Sequence, residues 1–215
     1  MNSLDSRFLG VGDCYGRRFT HAGTSPYELS HLPLPPGTQA DRASTFAITT
    51  LDAPGDDSET HQHNVTVSER EGALHAEPAQ LEITLNDTVL WVADKTVQAG
   101  FCVRGTNGHA FDSASLTGNS LYTHAFGLPG RYQWRDSHGS RLAGEVLVTE
   151  PEGMEPNAWL EALSSGTVVH VSDDEATPAT VEIIPGQRVF WAIARAQGVS
   201  ITDVTLLSKP DSYNR

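Results

Sequence analysis

The chain of 215 residues is long enough for one large or two small domains, and 38% hydrophobic residues are sufficient for packed cores. A formal net charge of −13 argues against a surface for nucleic acid or anionic lipid, which would carry a basic patch. No apolar run approaches the ~20 residues needed to span a bilayer, and no signal peptide is visible at the start.

Short runs of alternating apolar residues, punctuated by 19 glycines and 12 prolines, predict an antiparallel all-β sandwich or barrel. The clearest run is 81–91, where two strands flank a polar turn at Asn86 and Asp87. One short helix is expected, with Asn157 as its N-cap and Gly166 ending it. The predicted strands in chain order are 45–49, 64–67, 81–85, 89–91 and 145–148.

Internal repetition is the most informative feature of the sequence. Residues 78–91 recur at 178–191, an offset of 100, with the same proline, alanine, glutamate, isoleucine, valine and tryptophan. A second match, with an offset of 107 and no gap, relates the N-terminal region to the centre of the chain. It pairs Leu4, Asp5, Ser6, Phe19, Gly23, Tyr27, Ser30 and His31 with Phe111, Asp112, Ser113, Phe126, Gly130, Trp134, Ser137 and His138.

The two matches divide the chain into a rear half, a whole unit and a front half. We therefore expect a complete domain at 64–150, with its rear half copied at 1–50 and its front half copied at 167–215. An acidic linker is expected at 51–63, and a linker with the short helix at 151–166. Because a half sandwich exposes strand edges, the terminal halves must complete a second domain. They can do so within one chain, as a circularly permuted domain, or between chains, as strand-exchanged dimers or filaments.

The central unit, about 64–149, resembles a cupredoxin domain, the β-sandwich of plastocyanin and azurin. The resemblance rests on Val89-Leu90-Trp91, on Phe-Asp-Ser at 111–113, and on the segments THAFGLPGRYQW and SHGSRLAGEVLV at 123–134 and 137–148. It implies a Greek-key sandwich for this unit and for the domain made from the terminal halves. It also suggests an extracytoplasmic setting, which the missing signal peptide does not support, so the compartment stays open.

The resemblance does not extend to the ligands of type 1 copper. Such a site needs two histidines, a cysteine thiolate and usually a methionine. The positions of the upstream histidine, the cysteine and the methionine are taken by Phe101 and Cys102, by Arg135 and Asp136, and by Leu142. Only His138 is retained, and His31 is its counterpart in the outer copy. We therefore predict no cofactor, with copper at a non-standard site as the alternative.

Five side chains remain as weak candidates for metal ligands: His138, His31, His61, His63 and Cys102. His61 and His63 form a His-x-His pair beside the acidic residues 56, 57 and 59, a donor set that suits zinc or Cu(II). The sequence nevertheless favours a solvated acidic loop for this pair. It favours hydrogen-bonded structural rings for His31 and His138, and a buried free thiol for Cys102. His124 is expected at the surface.

These observations predict a non-catalytic cupredoxin-like protein for binding or assembly that has lost type 1 copper ligation. No catalytic residue is predicted, because adjacent serine and histidine point to opposite faces of a strand and no nucleotide-binding motif is present. The expected partner is a second copy of the chain or an unidentified protein, with no nucleic acid and no membrane span. The alternative is a copper-binding or electron-transfer protein with a non-standard histidine site.

Overall fold

The computed structural model describes residues 3–31, 46–52, 59–106, 111–153 and 155–207, which form an all-β protein with two short helices. The strands are β1 (Cys14–Arg18), β2 (Gly23–Ser30), β3 (Phe46–Leu51), β4 (Gln62–Arg70), β5 (Ala73–Glu77), β6 (Gln80–Thr84), β7 (Thr88–Ala93), β8 (Cys102–Gly105), β9 (Leu116–Thr117), β10 (Ser120–Ala125), β11 (Gly130–Arg135), β12 (Ala143–Val148), β13 (Gly166–Val171), β14 (Ala176–Thr177), β15 (Thr180–Ile183), β16 (Arg188–Ile193), β17 (Gln197–Val199) and β18 (Thr202–Asp203). The helices are α1 (Pro156–Ser164) and α2 (Val204–Leu207). Neither helix is long and apolar enough to cross a bilayer, as judged over the described residues.

The all-β class and the short helix are confirmed. The predicted strands fall on β3, β4, β6, β7 and β12, and the predicted helix falls on α1. The helix begins two residues earlier than expected, because the N-cap is Glu155 and Pro156 follows it. Proline suits a first helical position, where its missing N–H has no partner to lose. The helix ends at Ser164, so Gly166 opens β13 instead of ending the helix.

Eight strands form one large sheet in the order β14-β13-β16-β10-β1-β7-β4-β5. Two four-stranded sheets, β6-β3-β2-β8 and β15-β12-β11-β18, pack against it, and β17 pairs with β9. Tyr27 of β2 meets Trp91 of β7 edge to face at 5.4 Å, and Trp134 of β11 meets Trp191 of β16 in the same way at 6.1 Å. Each small sheet therefore encloses its own aromatic core against one half of the large sheet.

The strand partners differ from the domain organisation expected from the repeats. β1 pairs with β7, while β2 and β3 pair with β8 and β6, so the N-terminal strands complete the region up to Gly105. β10 pairs with β16, while β11 and β12 pair with β18 and β15. We call β1–β8 the first sandwich, and β10–β16 together with β18 the second sandwich.

This pairing replaces the expected one, in which 64–150 forms a complete domain and 1–50 pairs with 167–215. The physical reason is the order of the halves along the chain, which allows two different ways of pairing rear halves with front halves. A rear half followed by a front half occurs twice in succession, and each such pair is joined by a short connection. Halves that are neighbours in sequence meet at higher effective concentration than halves from opposite ends of the chain.

The two sandwiches share the large sheet, and β1 and β10 form the junction. Their antiparallel register places Cys14 opposite Thr123, Tyr15 opposite Tyr122 and Gly16 opposite Leu121. The repeat offset of 107 carries Tyr15 onto Tyr122 and so maps this register onto itself. A local two-fold axis therefore passes through the Tyr15–Tyr122 pair.

Candidate functional site

Two segments cross from one sandwich to the other. Residues 4–6 precede β1 of the first sandwich but lie beside the second, where Asp203 N donates to Leu4 O at 2.8 Å and Ser6 N donates to Ile201 O at 2.9 Å. Residues 111–113 precede β10 of the second sandwich but lie beside β8 of the first. The two segments, called here the crossing segments, are thus exchanged about the two-fold axis.

Two of the weak metal candidates hold backbone next to the crossing segments. The Cys102 Sγ donates to the carbonyl of Arg7 at 2.8 Å, and the His138 Nε2 donates to the carbonyl of Ala114 at 2.9 Å. His31 Nδ1 donates to the carbonyl of Gly100 at 3.1 Å. These side chains therefore serve as hydrogen-bond donors to main-chain oxygens, which is the structural role that the sequence favoured for the two histidines.

The residues at the expected copper positions do not fit type 1 copper. Cys102 is buried, and burial raises the pKa of its thiol to about 12. Leu142, at the methionine position, is buried and offers no donor atom. Cys14 on β1 is also a buried thiol, and burial raises its pKa to about 12.

Asp136, at the cysteine position, holds the loop that carries His138. Its carboxylate accepts backbone N–H bonds from Ser200 at 2.8 Å, from His138 at 3.0 Å and from Ser140 at 2.9 Å. Burial alone would raise the pKa of Asp136, but these donors outweigh burial and lower it. A carboxylate so engaged fixes the loop and replaces the ligand that the resemblance implied.

His61 and His63 meet a buried carboxylate that sequence reasoning treated only as a turn residue. His63 Nε2 donates to Asp87 at 2.9 Å, and His61 Nδ1 lies 3.6 Å from the same side chain. Asp87 also accepts from the backbone N–H groups of His61 at 2.7 Å and Thr84 at 3.0 Å. Burial opposes ionisation, yet these bonds together lower the pKa of Asp87 far below its ordinary value. Of the acidic neighbours expected here, those at 56 and 57 lie outside the described residues.

The second sandwich keeps the turn but not the histidines. At the position of Asp87 it has Gln187, whose side chain accepts from Ile184 N at 2.8 Å and donates to Ala162 O at 2.7 Å. The strand registers place Thr167 where the first sandwich has His63, because His63 is opposite Val89 and Thr167 is opposite the equivalent Val189. Asp87 and Gln187 therefore share a structural role, and the histidine pair is an addition specific to the first sandwich.

A buried histidine–carboxylate pair lies near the two-fold axis. His124 Nδ1 donates to Asp13 at 2.6 Å, Tyr122 donates to the same oxygen at 3.3 Å, and Gly10 N donates to the other oxygen at 2.8 Å. Burial raises the pKa of Asp13, although these donors oppose it. His124 is 4% exposed, so the expectation of a surface position is wrong. Its strand places it on the core face, in alternation with the outward Thr123.

The pair related to this one by the two-fold axis has an uncharged serine in place of the aspartate and an arginine in place of the histidine. The offset of 107 carries Asp13 to Ser120 and His124 to Arg17. Arg17 donates to Gly118 O at 2.6 Å and approaches the Ser120 hydroxyl at 3.4 Å. One pair joins β10 to Asp13, the residue before β1, and the other joins β1 to β10, so both connect the two sandwiches at their junction.

Across its six central strands, from β4 to β13, the outer face of the large sheet carries two rows of side chains without a formal charge. They alternate with the buried Tyr15, Trp91, Tyr122 and Trp191 of the core face. The first row is Asn64, Leu90, Gly16, Leu121, Ala192 and His170, and the second row is Thr66, Val92, Cys14, Thr123, Phe190 and Val168. On the edge strand β5, Glu77 lies opposite Thr66 and ends the second row. None of these twelve is Asp, Glu, Lys or Arg, and the two-fold axis exchanges the rows. We call them the charge-free face.

The charge-free face is close-packed at its centre and open at its edges. A Cβ on Gly16 would meet the Leu90 side chain at 2.7 Å and the Leu121 side chain at 3.1 Å. Val168, at the edge, is 44% exposed. A cleft of about 320 Å³ beside the first row is lined by Gly16, Leu121 and Ala192 and by the cation Arg18.

Within the described ranges, no group of three or more histidine, cysteine, aspartate or glutamate side chains is placed to hold a metal ion. Comparisons of the chain with protein-family models, with curated proteins and with solved structures gave no match.

Proposed function

We propose that the chain is a non-catalytic, cupredoxin-like assembly protein that associates with a second copy of itself through the charge-free face. In this proposal each sandwich is a circularly permuted Greek-key domain that has lost type 1 copper ligation. The internal repeat and the order of the halves support the permutation. The hydrogen bonds of Cys102 and His138 to main-chain carbonyls support the loss of copper.

The observation that carries the proposal is the charge-free face itself. The chain has 14 basic and 27 acidic residues, and its net charge of −13 repels a second copy over most of the surface. Cys14, Gly16 and Thr123 at the centre of the charge-free face are buried by their neighbours, and the other nine residues present an uncharged surface that allows close approach. Burial of its exposed apolar members would stabilise the contact. Because the two-fold axis exchanges its rows, the face can meet a copy of itself in a closed, isologous contact.

A catalytic role is not favoured, because the pair most similar to an acid–base dyad is enclosed. Asp13 is 3% exposed and His124 is 4% exposed, and the imidazole packs on the ring of Phe126 at 4.7 Å. A substrate would have to open the junction between the sandwiches to reach either group. The dyad therefore supports the scaffold.

Self-association is tested by sedimentation or light scattering over a range of concentrations. We expect a mass that rises from 23.2 kDa toward twice that value, and more readily at high salt, which screens the repulsion. Val168→Glu, on the charge-free face, should raise the dissociation constant at least tenfold. Leu51→Glu is the matched control, since Leu51 lies on a small sheet and is 43% exposed against 44% for Val168. A mass of 23.2 kDa at every concentration, or equal effects of both variants, would overturn the proposal.

A second candidate function is copper binding at His61 and His63. It is favoured by one observation, namely that both rings approach the carboxylate of Asp87. Titration with Cu(II), followed by element analysis, tests it directly. Stoichiometric binding that His63→Ala abolishes and that His75→Ala leaves unchanged would support copper, whereas binding that neither substitution changes would exclude this site.

A further inference from the structure

Each crossing segment lies in a groove of the sandwich that it reaches. The first groove, in the first sandwich, runs beside residues 103–105, and the second groove, in the second sandwich, runs beside residues 201–203. Both grooves form the same hydrogen bonds with their segments. In the second sandwich, Ser6 N donates to Ile201 O at 2.9 Å, and Ile201 N donates to Ser6 Oγ at 3.0 Å. In the first sandwich, Ser113 N donates to Val103 O at 3.0 Å, and Val103 N donates to Ser113 Oγ at 3.0 Å. The serine hydroxyl thus takes the place of a main-chain carbonyl and completes a two-bond clamp.

A third hydrogen bond is also common to both grooves. Asp203 N donates to Leu4 O at 2.8 Å, and Gly105 N donates to Phe111 O at 2.8 Å. Both segments therefore lie in the grooves as short added strands, three residues long. Each serine is fully buried, so the bonds are formed away from competing water.

The aspartate of each segment shapes the turn that follows it. Asp5 accepts from Arg7 N at 3.1 Å, and Asp112 accepts from Ala114 N at 2.8 Å. Both bonds run from a side chain to the backbone two residues later, which is an Asx turn. The aspartate thus directs the chain out of the groove after the serine, in the same way at both places.

The size of the apolar side chain in each segment is complementary to the size of the residue beside it in the groove. The ring of Phe111 stacks on Trp91 at 5.5 Å, and a Cβ on Gly105 would lie only 2.8 Å from that ring. At the equivalent place the second groove has Asp203, which carries a side chain, and the smaller Leu4 is the anchor. Glycine therefore leaves room for phenylalanine in the first groove, and the second groove accepts leucine.

We infer that each groove is a binding site for an extended peptide with the pattern apolar–Asp–Ser, and that the Leu4–Ser6 segment of one copy can fill the second groove of another. The same hydrogen bonds form in both grooves, although the residues before and after the two segments differ. The shared apolar–Asp–Ser pattern therefore accounts for these bonds. Within one copy the linked segment has the advantage of high effective concentration. Binding of a segment from another copy is therefore measurable only when the chain's own Leu4–Ser6 segment binds its groove less tightly. This inference is independent of the charge-free face.

The test uses the full chain with Leu4→Asp, which places a carboxylate where a buried leucine side chain lies. A fluorescent peptide with the sequence of residues 3–10 is the probe, and the same peptide with Leu4→Ala and Ser6→Ala is the control. We expect saturable binding of the probe, measured by anisotropy, at least tenfold tighter than that of the control. The unaltered chain should bind the probe at least tenfold more weakly than the variant. A probe with Leu4→Phe should bind more weakly than the leucine probe, because Asp203 narrows the groove.

Circular dichroism establishes first whether the Leu4→Asp chain is folded. If it is not, the Ser6→Ala chain, which keeps the leucine, takes its place in the same titration. A folded variant that binds probe and control peptides equally, or binds neither, would overturn the inference. Failure of dimerisation through the charge-free face would not, since the labelled peptide is held at low concentration while the protein is varied, and its anisotropy reports binding in the groove.

Discussion

Tyr15 and Tyr122 face each other in the β1–β10 pair, and each stacks on a tryptophan of its own sandwich with the same geometry. The ring centroids of Tyr15 and Trp91 are 5.5 Å apart with an interplanar angle of 26°, and those of Tyr122 and Trp191 have the same values. The repeat in the sequence is therefore also a repeat in side-chain packing. The junction of the sandwiches is the centre from which both cores extend.

The close approach of Gly144 to its neighbours predicts a localised packing cost. A Cβ on Gly144 would meet the carbonyl of Ala179 at 2.7 Å and the ring of Trp134 at 2.8 Å. The carbonyl is fixed by the bond from Glu145 N, so Gly144→Ala should lower the free energy of unfolding by about 1–3 kcal/mol. Gly127→Ala is the control, since a Cβ there meets nothing within 4 Å. Equal urea midpoints for the two variants would contradict this account.

The pKa of Asp87 predicts how stability depends on pH. Its folded pKa lies below the unfolded value of about 3.9, so its contribution is complete above pH 4 and is lost as the pH falls toward the folded pKa. At pH 7, Asp87→Asn should reduce the free energy of unfolding by about 1–3 kcal/mol, because buried donors lose a charged acceptor. The difference from the unaltered chain should shrink below pH 4. Glu82→Gln, at an exposed position, should change little at either pH. A difference that grows on acidification would show that the sign is wrong.

The two thiols should be unreactive while the chain is folded. Cys14 is 3% exposed and Cys102 is 2% exposed, and burial raises the pKa of each to about 12. Ellman's reagent at pH 8 should therefore titrate neither thiol in buffer and both thiols in guanidinium chloride. Rapid, stoichiometric reaction of one thiol in buffer would be evidence against the buried environment described here.

The matched grooves predict matched costs for two distant serines. Ser6→Ala and Ser113→Ala each leave a buried N–H without its acceptor, so each should lower the free energy of unfolding by about 1–3 kcal/mol. Ser164→Ala, at an exposed position on α1, serves as the control. A cost for only one of the two buried serines would mean that the crossing segments are not equivalent.

Much of the local structure could be predicted from the sequence, because hydrophobic alternation and the turn at Asn86 and Asp87 report strands directly. The partner of each strand could not, since a repeat identifies which halves are alike and not which halves meet. The order rear, front, rear, front is compatible with two pairings, and only the coordinates distinguish them. The helix start at Pro156 was missed because Asn157 is a preferred N-cap residue, whereas Glu155 makes no side-chain capping bond.

The candidate site was predictable in part. The sequence favoured structural roles for His31 and His138, and both donate to main-chain carbonyls. The Asp87 carboxylate beside His63 was missed, since the two are 24 residues apart and meet only because β4 lies next to β7. His124 was misplaced because no sequence signal linked it to Asp13, its partner across the junction. Contacts between distant segments depend on strand partners, which is where the sequence is least informative.

The most direct test of the strand pairing uses the position of Cys14, which is the register partner of Val92. Opposed residues of antiparallel strands have Cα atoms about 4.5–5.5 Å apart, within the range of a disulfide. In a Cys102→Ala background, Val92→Cys and Ala192→Cys are each refolded in a glutathione buffer, and the disulfides are mapped by mass spectrometry. The account predicts a disulfide from Cys14 to position 92 and none to position 192, because β10 lies between β1 and β16. A disulfide to position 192 and none to position 92 would contradict it, since the N-terminal strands would then pair with the C-terminal ones.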